Sequence, residues 1–172
     1  INDAGAGFRL VYLIDDFAGT GTTFLRFDPA KGWRGKLMRF RSSVLEAIGE
    51  LGVLLAPDWE LCIHHYLASA SAAENIVRRL DEASLDLATD GWARQMHASF
   101  GTVLPGDLPI DKVPGQHDRF IELTSKYYDP RIETRHTGVG GVAHIGLGYG
   151  GCALPLVLEH NTPNNSVALL WA

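Results

Sequence analysis

Two carboxylates, Asp15 and Asp16, close an apolar run, and Phe17, Ala18, Gly19, Thr20, Gly21, Thr22 and Thr23 follow them directly. An ionised carboxylate accepts hydrogen bonds and donates none, so the pair suits the neighbouring hydroxyls of a ribose ring. The same pair repels phosphate. The loop behind it supplies what an anion needs: glycines that let backbone N–H groups turn inward at Gly19 and Gly21, and hydroxyl donors on Thr20, Thr22 and Thr23. A helix starting near Thr23 would add the positive end of its dipole. Two unit charges about 4 Å apart interact by roughly 1 kcal/mol in water and roughly 4 kcal/mol at an effective dielectric of 20. A bridging cation at Asp15 and Asp16, or solvated hydroxyls, would relieve that repulsion, so Mg²⁺ is the expected companion. The whole stretch reads as a cradle for a sugar phosphate. A Walker-type loop would carry a lysine after its last glycine, and a dinucleotide fingerprint a third glycine; this loop has neither. The plain alternative is an acidic strand end closed by an ordinary turn.

Such a cradle must be held by regular elements. Val11, Tyr12, Leu13 and Ile14 form an unbroken apolar run, as in a strand covered on both faces of a parallel sheet. Ligands of such sheets gather at the carboxyl ends of the strands, where the aspartates fall. Downstream, Ser43-x-x-Glu46 reads as a capping box before a helix carrying Val44, Leu45, Ile48, Leu51 and Leu55, which Pro57 ends. Residues 61–68 read as a buried strand, with His64 and His65 on opposite faces and both structural, the alternative being that one of them reaches the site. Its end, Ser69 and Ala70, would lie beside the phosphate loop if the two strands are neighbours. Ser71-x-x-Glu74 opens a further helix with Ile76, Val77 and Leu80 on its inner face. Residues 84–117, rich in proline and glycine, read as an extended or looping segment, an insertion or a lid. A third helix is expected from Asp118 as N-cap, carrying Phe120, Ile121, Leu123 and Tyr127 and ending near Asp129 and Pro130.

Two acids, three residues, Thr-Gly, one residue and Thr, behind an apolar strand, resemble the phosphoribosyl pyrophosphate motif of the type I phosphoribosyltransferases. The resemblance covers residues 13–22. It implies an α/β fold, Rossmann-like, with a mainly parallel sheet flanked by helices. It implies that Asp15 and Asp16 hold the ribose 2- and 3-hydroxyls, directly or through hydrated Mg²⁺, and that residues 18–23 bind the 5-phosphate, with Phe17 between them. The ligand would be phosphoribosyl pyrophosphate or a nucleotide 5-phosphate. The reaction of that family displaces pyrophosphate from ribose C1, and the two catalytic carboxylates would stabilise the positive charge that grows there. Members of the family carry the phosphate loop mid-chain, behind strands that supply a pyrophosphate loop and a mobile catalytic loop. Here the motif stands almost at the start, so the expectation is a single domain over 1–172 that lacks the N-terminal part of the fold. An upstream segment or a protein partner would complete it. Gly19 stands where hypoxanthine-guanine enzymes place an acid before Thr-Gly, which speaks against 6-oxopurine salvage.

The tail is the second informative region. Glycines crowd ahead of a strand expected at 154–158, then His160, Asn161, Thr162, Pro163, Asn164, Asn165 and Ser166 precede residues 167–171. His160, Asn161, Asn164 and Asn165 are candidate contacts to an acceptor nucleophile; the same residues also suit a tight turn joining two strands. With the acidic loop, this tail is similar to a phosphoribosyltransferase-like domain of bacterial conflict, or anti-phage, gene clusters. That similarity implies an effector or sensor in bacterial defence, with or without catalysis, in place of housekeeping nucleotide metabolism.

Composition sets the outer limits. The chain has 172 residues, 46% hydrophobic and 20% charged, with a formal net charge of −5. That is enough for one real core, and the acidic balance argues against a nucleic-acid surface. Arg34, Lys36, Arg39 and Arg41 form the densest basic cluster, read as a solvated loop and helix start, the alternative being a phosphate or RNA contact. Cys62 and Cys152 lack zinc spacing and fit reduced, buried thiols of a cytoplasmic protein. No apolar run approaches the roughly 20 residues of a membrane helix. The chain opens at Ile1, which fits a fragment, a processed piece or part of something longer.

Overall fold

The computed structural model describes residues 7–52, 55–88, 92–134, 137–142 and 144–171. The elements of the first half are β1 (Phe8–Ala18), β2 (Arg26–Asp28), β3 (Gly32–Arg34), α1 (Lys36–Leu51), β4 (Leu55–Ser69), α2 (Ala70–Leu87) and β5 (Gln95–Leu104). Strands β1, β4 and β5 form a parallel sheet in that order, flanked by helices, which makes the fold α/β. The β1–β4 register pairs Leu13 with Ile63, Asp15 with His65 and Ala18 with Ala68. The chain divides into two compact units, one of residues 1–68 and 72–103, the other of 69–71 and 104–172.

In the first unit, helices and strands share one core on one face of the sheet. Val11 and Leu13 of β1, Trp59, Leu61 and Ile63 of β4, and Ala98 and Phe100 of β5 meet Leu37 and Val44 of α1 and Ile76 and Leu80 of α2. The intervening residues face outward: Tyr12 and Ile14 are each 58% exposed and Tyr66 is 62% exposed. The expectation of strands buried on both sides is therefore corrected. The apolar run of β1 is continuous in sequence, yet its burial alternates with the period of two that a strand imposes.

No helix starts at Thr23. The chain instead enters the β2–β3 hairpin, whose turn is set by the Asp28 carboxylate accepting from the N–H groups of Ala30 (2.9 Å) and Lys31 (3.2 Å). Gly35, at φ 125°, then launches α1 at Lys36, so Ser43 and Glu46 lie within the helix and form no capping box. Gly52, at φ 77°, ends it, and its N–H donates to Ile48 O. Pro57 belongs to β4 rather than to a helix end, and Leu51 is exposed. Helix α2 starts at Ala70, close to the expected place, and buries Ile76 and Leu80, but Val77 is 45% exposed. The segment 84–117 holds the end of α2 and the whole of β5; residues 89–91 lie outside the described residues.

The second unit is mostly turns around one helix, α3 (Asp118–Lys126). His117, not Asp118, is the residue at its N-cap, and Asp118 falls in the first turn; Tyr127 is exposed. Ile110, Ala153 and Val167 form its core with Phe120, Ile121 and Leu147 packed against them. The two strands expected in the tail reduce to a single bridge between Leu154 and Ser166, and Ala168–Leu170 is a 3-10 turn. Gly148 explains part of this. At φ 83°, it lies so close to the segment below that a Cβ would stand 2.3 Å from Asn165 O. Cys62 and Cys152 form no disulfide among the described residues, and both are half-buried. Among the described residues, no helix is long and apolar enough to cross a membrane.

Leu61, fully buried at the centre of β4, tests the one-sided core. Leu61→Ala is expected to cost about 3 kcal/mol of stability, read as a shift in the urea midpoint; a change under about 1 kcal/mol would contradict this packing.

Candidate functional site

The first unit carries the acids and the loop. Ala18, Gly19 and Gly21 are buried, and Thr20, Thr22 and Thr23 are half-buried. Every carbonyl from residue 20 to 23 is taken by a protein donor. Asn75 Nδ2 donates to Thr20 O (3.4 Å), Phe24 N and Leu25 N to Gly21 O (3.1 and 3.0 Å), Arg26 Nη1 to Thr22 O (3.2 Å) and Lys36 N to Thr23 O (3.0 Å). In a planar trans peptide the N–H points opposite to the preceding C=O. Anchored carbonyls therefore turn the amides of the loop away from their anchors. The hydroxyls of Thr20 and Thr22 are 2.7 Å apart, and Thr22 N–H leans on Thr20 Oγ1 at 3.3 Å.

Helix α2 supplies much of this anchorage. Ala72, Asn75, Ile76 and Arg79 share one helical face by spacing, and the loop lies on it. A Cβ on Gly21, whose φ is 73°, would stand 2.9 Å from Ile76 Cγ1 and 3.3 Å from Ala72 O. Arg79 Nη1 donates to Leu25 O at 2.9 Å. Burial holds the Arg79 guanidinium below its ordinary pKa, and the charges of Arg78 and Arg26 push the same way. Guanidinium still stays protonated in proteins. The flank of the loop is thus cationic, within a chain of net charge −5.

Asp15 and Asp16 are successive residues of one strand and so point to opposite faces. Asp15 lies on the covered face, 28% exposed, with Lys36 Nζ 2.5 Å and His65 Nε2 3.9 Å from its Oδ2. Asp16 is exposed, and its Oδ1 accepts from Phe17 N–H at 2.8 Å. Two carboxylates directed apart do not fit a directly chelated ion between them; a hydrated ion meeting one of them fits. Among the described residues no cluster of three or more metal-ligating side chains occurs.

His65 and His64 do point to opposite faces. His64 Nδ1 lies 2.9 Å from Ser99 Oγ on the outer face. His65 is 1% exposed, edge-on to Phe24 (ring centroids 5.3 Å) and stacked on Phe100 (6.0 Å), with no hydrogen-bond partner at Nδ1. Burial lowers its pKa, against the pull of Asp15. Read from sequence as structural, with a histidine that reaches the site as the alternative, His65 is a neighbour of the acid that the motif singles out.

The candidate acceptor residues belong to the second unit. Asn165 is buried there, and its Nδ2 donates to Tyr149 O (3.0 Å) and Cys152 Sγ (3.4 Å). The carbonyl of Asn164 accepts from Tyr149 N–H (2.6 Å) and that of Asn161 from Leu158 N–H (2.8 Å). Asn165 thus braces its own loop, whereas His160 and Asn161 are exposed. Sequence reasoning missed Lys36, Asn75 and Arg79. The spacing of Ala72, Asn75, Ile76 and Arg79 was a usable signal for α2; Lys36 carried none beyond its place among four spaced basic residues.

A family model described as PRTase-CE matches residues 2–172. No curated protein matches the chain, and no solved structure does.

Two consequences are measurable. Gly21→Ala, strained by both its φ and Ile76, should lose about 1–3 kcal/mol of stability in chemical denaturation; an unchanged midpoint would contradict the seating of the loop on α2. A folded-state imidazole held below its ordinary value of 6.5 binds fewer protons than the unfolded one at mildly acid pH, so His65 favours folding less as pH falls. Denaturation midpoints between about pH 7.5 and pH 5 should therefore drop below about 6.5, and His65→Phe should flatten part of that drop. Identical profiles for the two proteins would show that His65 is not kept neutral.

Proposed function

The chain belongs to the PRTase-CE family, a phosphoribosyltransferase-type domain, and from that premise we propose that residues 18–23 bind the 5-phosphate of phosphoribosyl pyrophosphate or of a nucleotide. The observation that carries this reading is the anchoring of every carbonyl from Thr20 to Thr23. Of the amides that follow those carbonyls, Thr22 N–H leans on Thr20 Oγ1 and Phe24 N–H donates to Gly21 O, so the loop offers an anion the N–H groups of Gly21 and Thr23 with its hydroxyls, beside the cationic Arg26 and Arg79. Asp15 and Asp16 are the proposed acceptors for the ribose hydroxyls, and because they diverge a single ribose meets one of them directly. Asp15 or Asp16 would hold a hydrated Mg²⁺ brought with the ligand, and that ion would supply neutralisation of phosphate charge.

Where transfer occurs, a nitrogen nucleophile forms the bond to C1 as the C1–O bond to pyrophosphate breaks. Pyrophosphate leaves with the electron pair, and the proton of the nitrogen passes to solvent. The carboxylates stabilise the positive charge that grows on the sugar in the transition state of that displacement. In the second unit the amide of Asn165 is spent on Tyr149 and Cys152, which leaves it the role of holding its own loop.

A second reading has its own support. Asp15 is engaged by Lys36, and the two acids diverge. A module that binds the ligand without turnover and reports it to a protein partner, as in a bacterial defence system, needs the phosphate loop but not a converging acid pair.

Calorimetric titration with phosphoribosyl pyrophosphate, with and without Mg²⁺, tests the shared claim, and pyrophosphate release separates the two readings. Saturable binding is expected, weakened about tenfold or more in Asp16→Asn, as for loss of a hydrogen bond to a charged group. Binding without release would leave the sensor. Failure to bind phosphoribosyl pyrophosphate and every nucleoside 5-monophosphate would end both.

A further inference from the structure

Resting on that reading, we propose that Lys36 is a phosphate-binding residue held by Asp15 until ligand arrives, so that Asp15 and the ligand phosphate compete for one ammonium group.

Three observations point to this. The first is position. Lys36 is the first residue of α1, and its backbone N–H donates to Thr23 O at 3.0 Å. Its side chain is therefore rooted at the last residue of the phosphate loop. The second is its present partner. Lys36 Nζ sits 2.5 Å from Asp15 Oδ2, and both side chains are partly exposed, at 46% and 28%. Ligand can reach the pair, and the four-carbon stem lets the ammonium swing between neighbouring acceptors. The third is electrostatic need. A phosphate entering the loop approaches the Asp15 carboxylate, and His65, 3.9 Å from that carboxylate, is buried against the rings of Phe24 and Phe100. Lys36 is the cation that touches Asp15, and moving it to the phosphate neutralises the newcomer while freeing the carboxylate oxygen for a ribose hydroxyl.

One event thus does two things. The loop gains the lysine that its sequence lacks after Gly21, and Asp15 becomes available only when a phosphate has displaced it. A sugar without a phosphate meets an acid still held by Lys36; a phosphate without a sugar takes Lys36 and leaves Asp15 unpaired.

Two probes with opposite expectations test this. Inorganic phosphate and ribose 5-phosphate are titrated, by NMR or calorimetry, into the wild type, Lys36→Gln, Lys36→Arg and Asp15→Asn. Lys36→Gln should weaken both probes about tenfold or more, as expected for a lost charge-assisted hydrogen bond, and Lys36→Arg should stay within about threefold of the wild type. Asp15→Asn should tighten inorganic phosphate by about threefold or more, because the competitor has lost its charge, while weakening ribose 5-phosphate. Should Lys36→Gln fail to fold, the sign of the Asp15→Asn effect on inorganic phosphate decides alone. Wild type that binds both probes with Lys36→Gln unaffected, or with Asp15→Asn leaving inorganic phosphate unchanged, overturns the exchange and spares the phosphoribosyl reading. Wild type that binds neither overturns both.

Discussion

The site depends on which way a handful of peptide groups face. Helix α2 takes the carbonyl of Thr20 through Asn75 and that of Leu25 through Arg79, while the start of α1 takes those of Thr23 and Phe24. Because a peptide unit is rigid, fixing its oxygen fixes its N–H. The loop can lie so close to α2 only because Gly21 has no side chain to meet Ile76. The helix in turn is held by Ala72, Ile76, Leu80, Ala83 and Leu87, all buried. Hydrophobic packing of an amphipathic helix therefore helps set the direction of the loop amides.

Around that frame the charges are arranged locally against the overall balance. The chain carries a net −5, yet the loop is flanked by Arg26, Arg79 and Lys36, each bonded to the backbone or carboxylate of the site. Parallel pairing of β1 with β4 sets Asp15 opposite His65, and burial keeps that imidazole from acting as a second cation. The electrostatics of Asp15 are consequently governed by one mobile ammonium rather than by a fixed cluster.

The grouping of the candidate site was legible because it is local: Asp15 to Thr23 follow one another in the chain, and their place at the end of β1 needs no distant contact. The inner face of α2 was legible through Ile76 and Leu80, since a helix repeats its burial every three to four residues. What could not be read is what comes from afar. Nothing near Lys36 indicates that it will meet a carboxylate on another element 21 residues earlier. Likewise β5 hides in a proline- and glycine-rich segment, where the alternation of Met96, Ala98 and Phe100 is a short signal. Ser43 and Glu46 have the spacing of a capping box by coincidence; Gly35 had already started the helix. The apolar run in β1 misled for a different reason, because residue type does not reveal whether a second layer covers the sheet.

That uncovered layer has a bearing on colloidal behaviour. Phe8, Leu10, Tyr12 and Ile14, with Tyr66 alongside, put greasy surface on a strand at the sheet margin, the kind of place where polypeptides cohere. Dispersal of the molecule in water then leans on mutual repulsion between like-charged copies, and acidification, which erodes the negative excess by protonating carboxylates, would bring these surfaces together first.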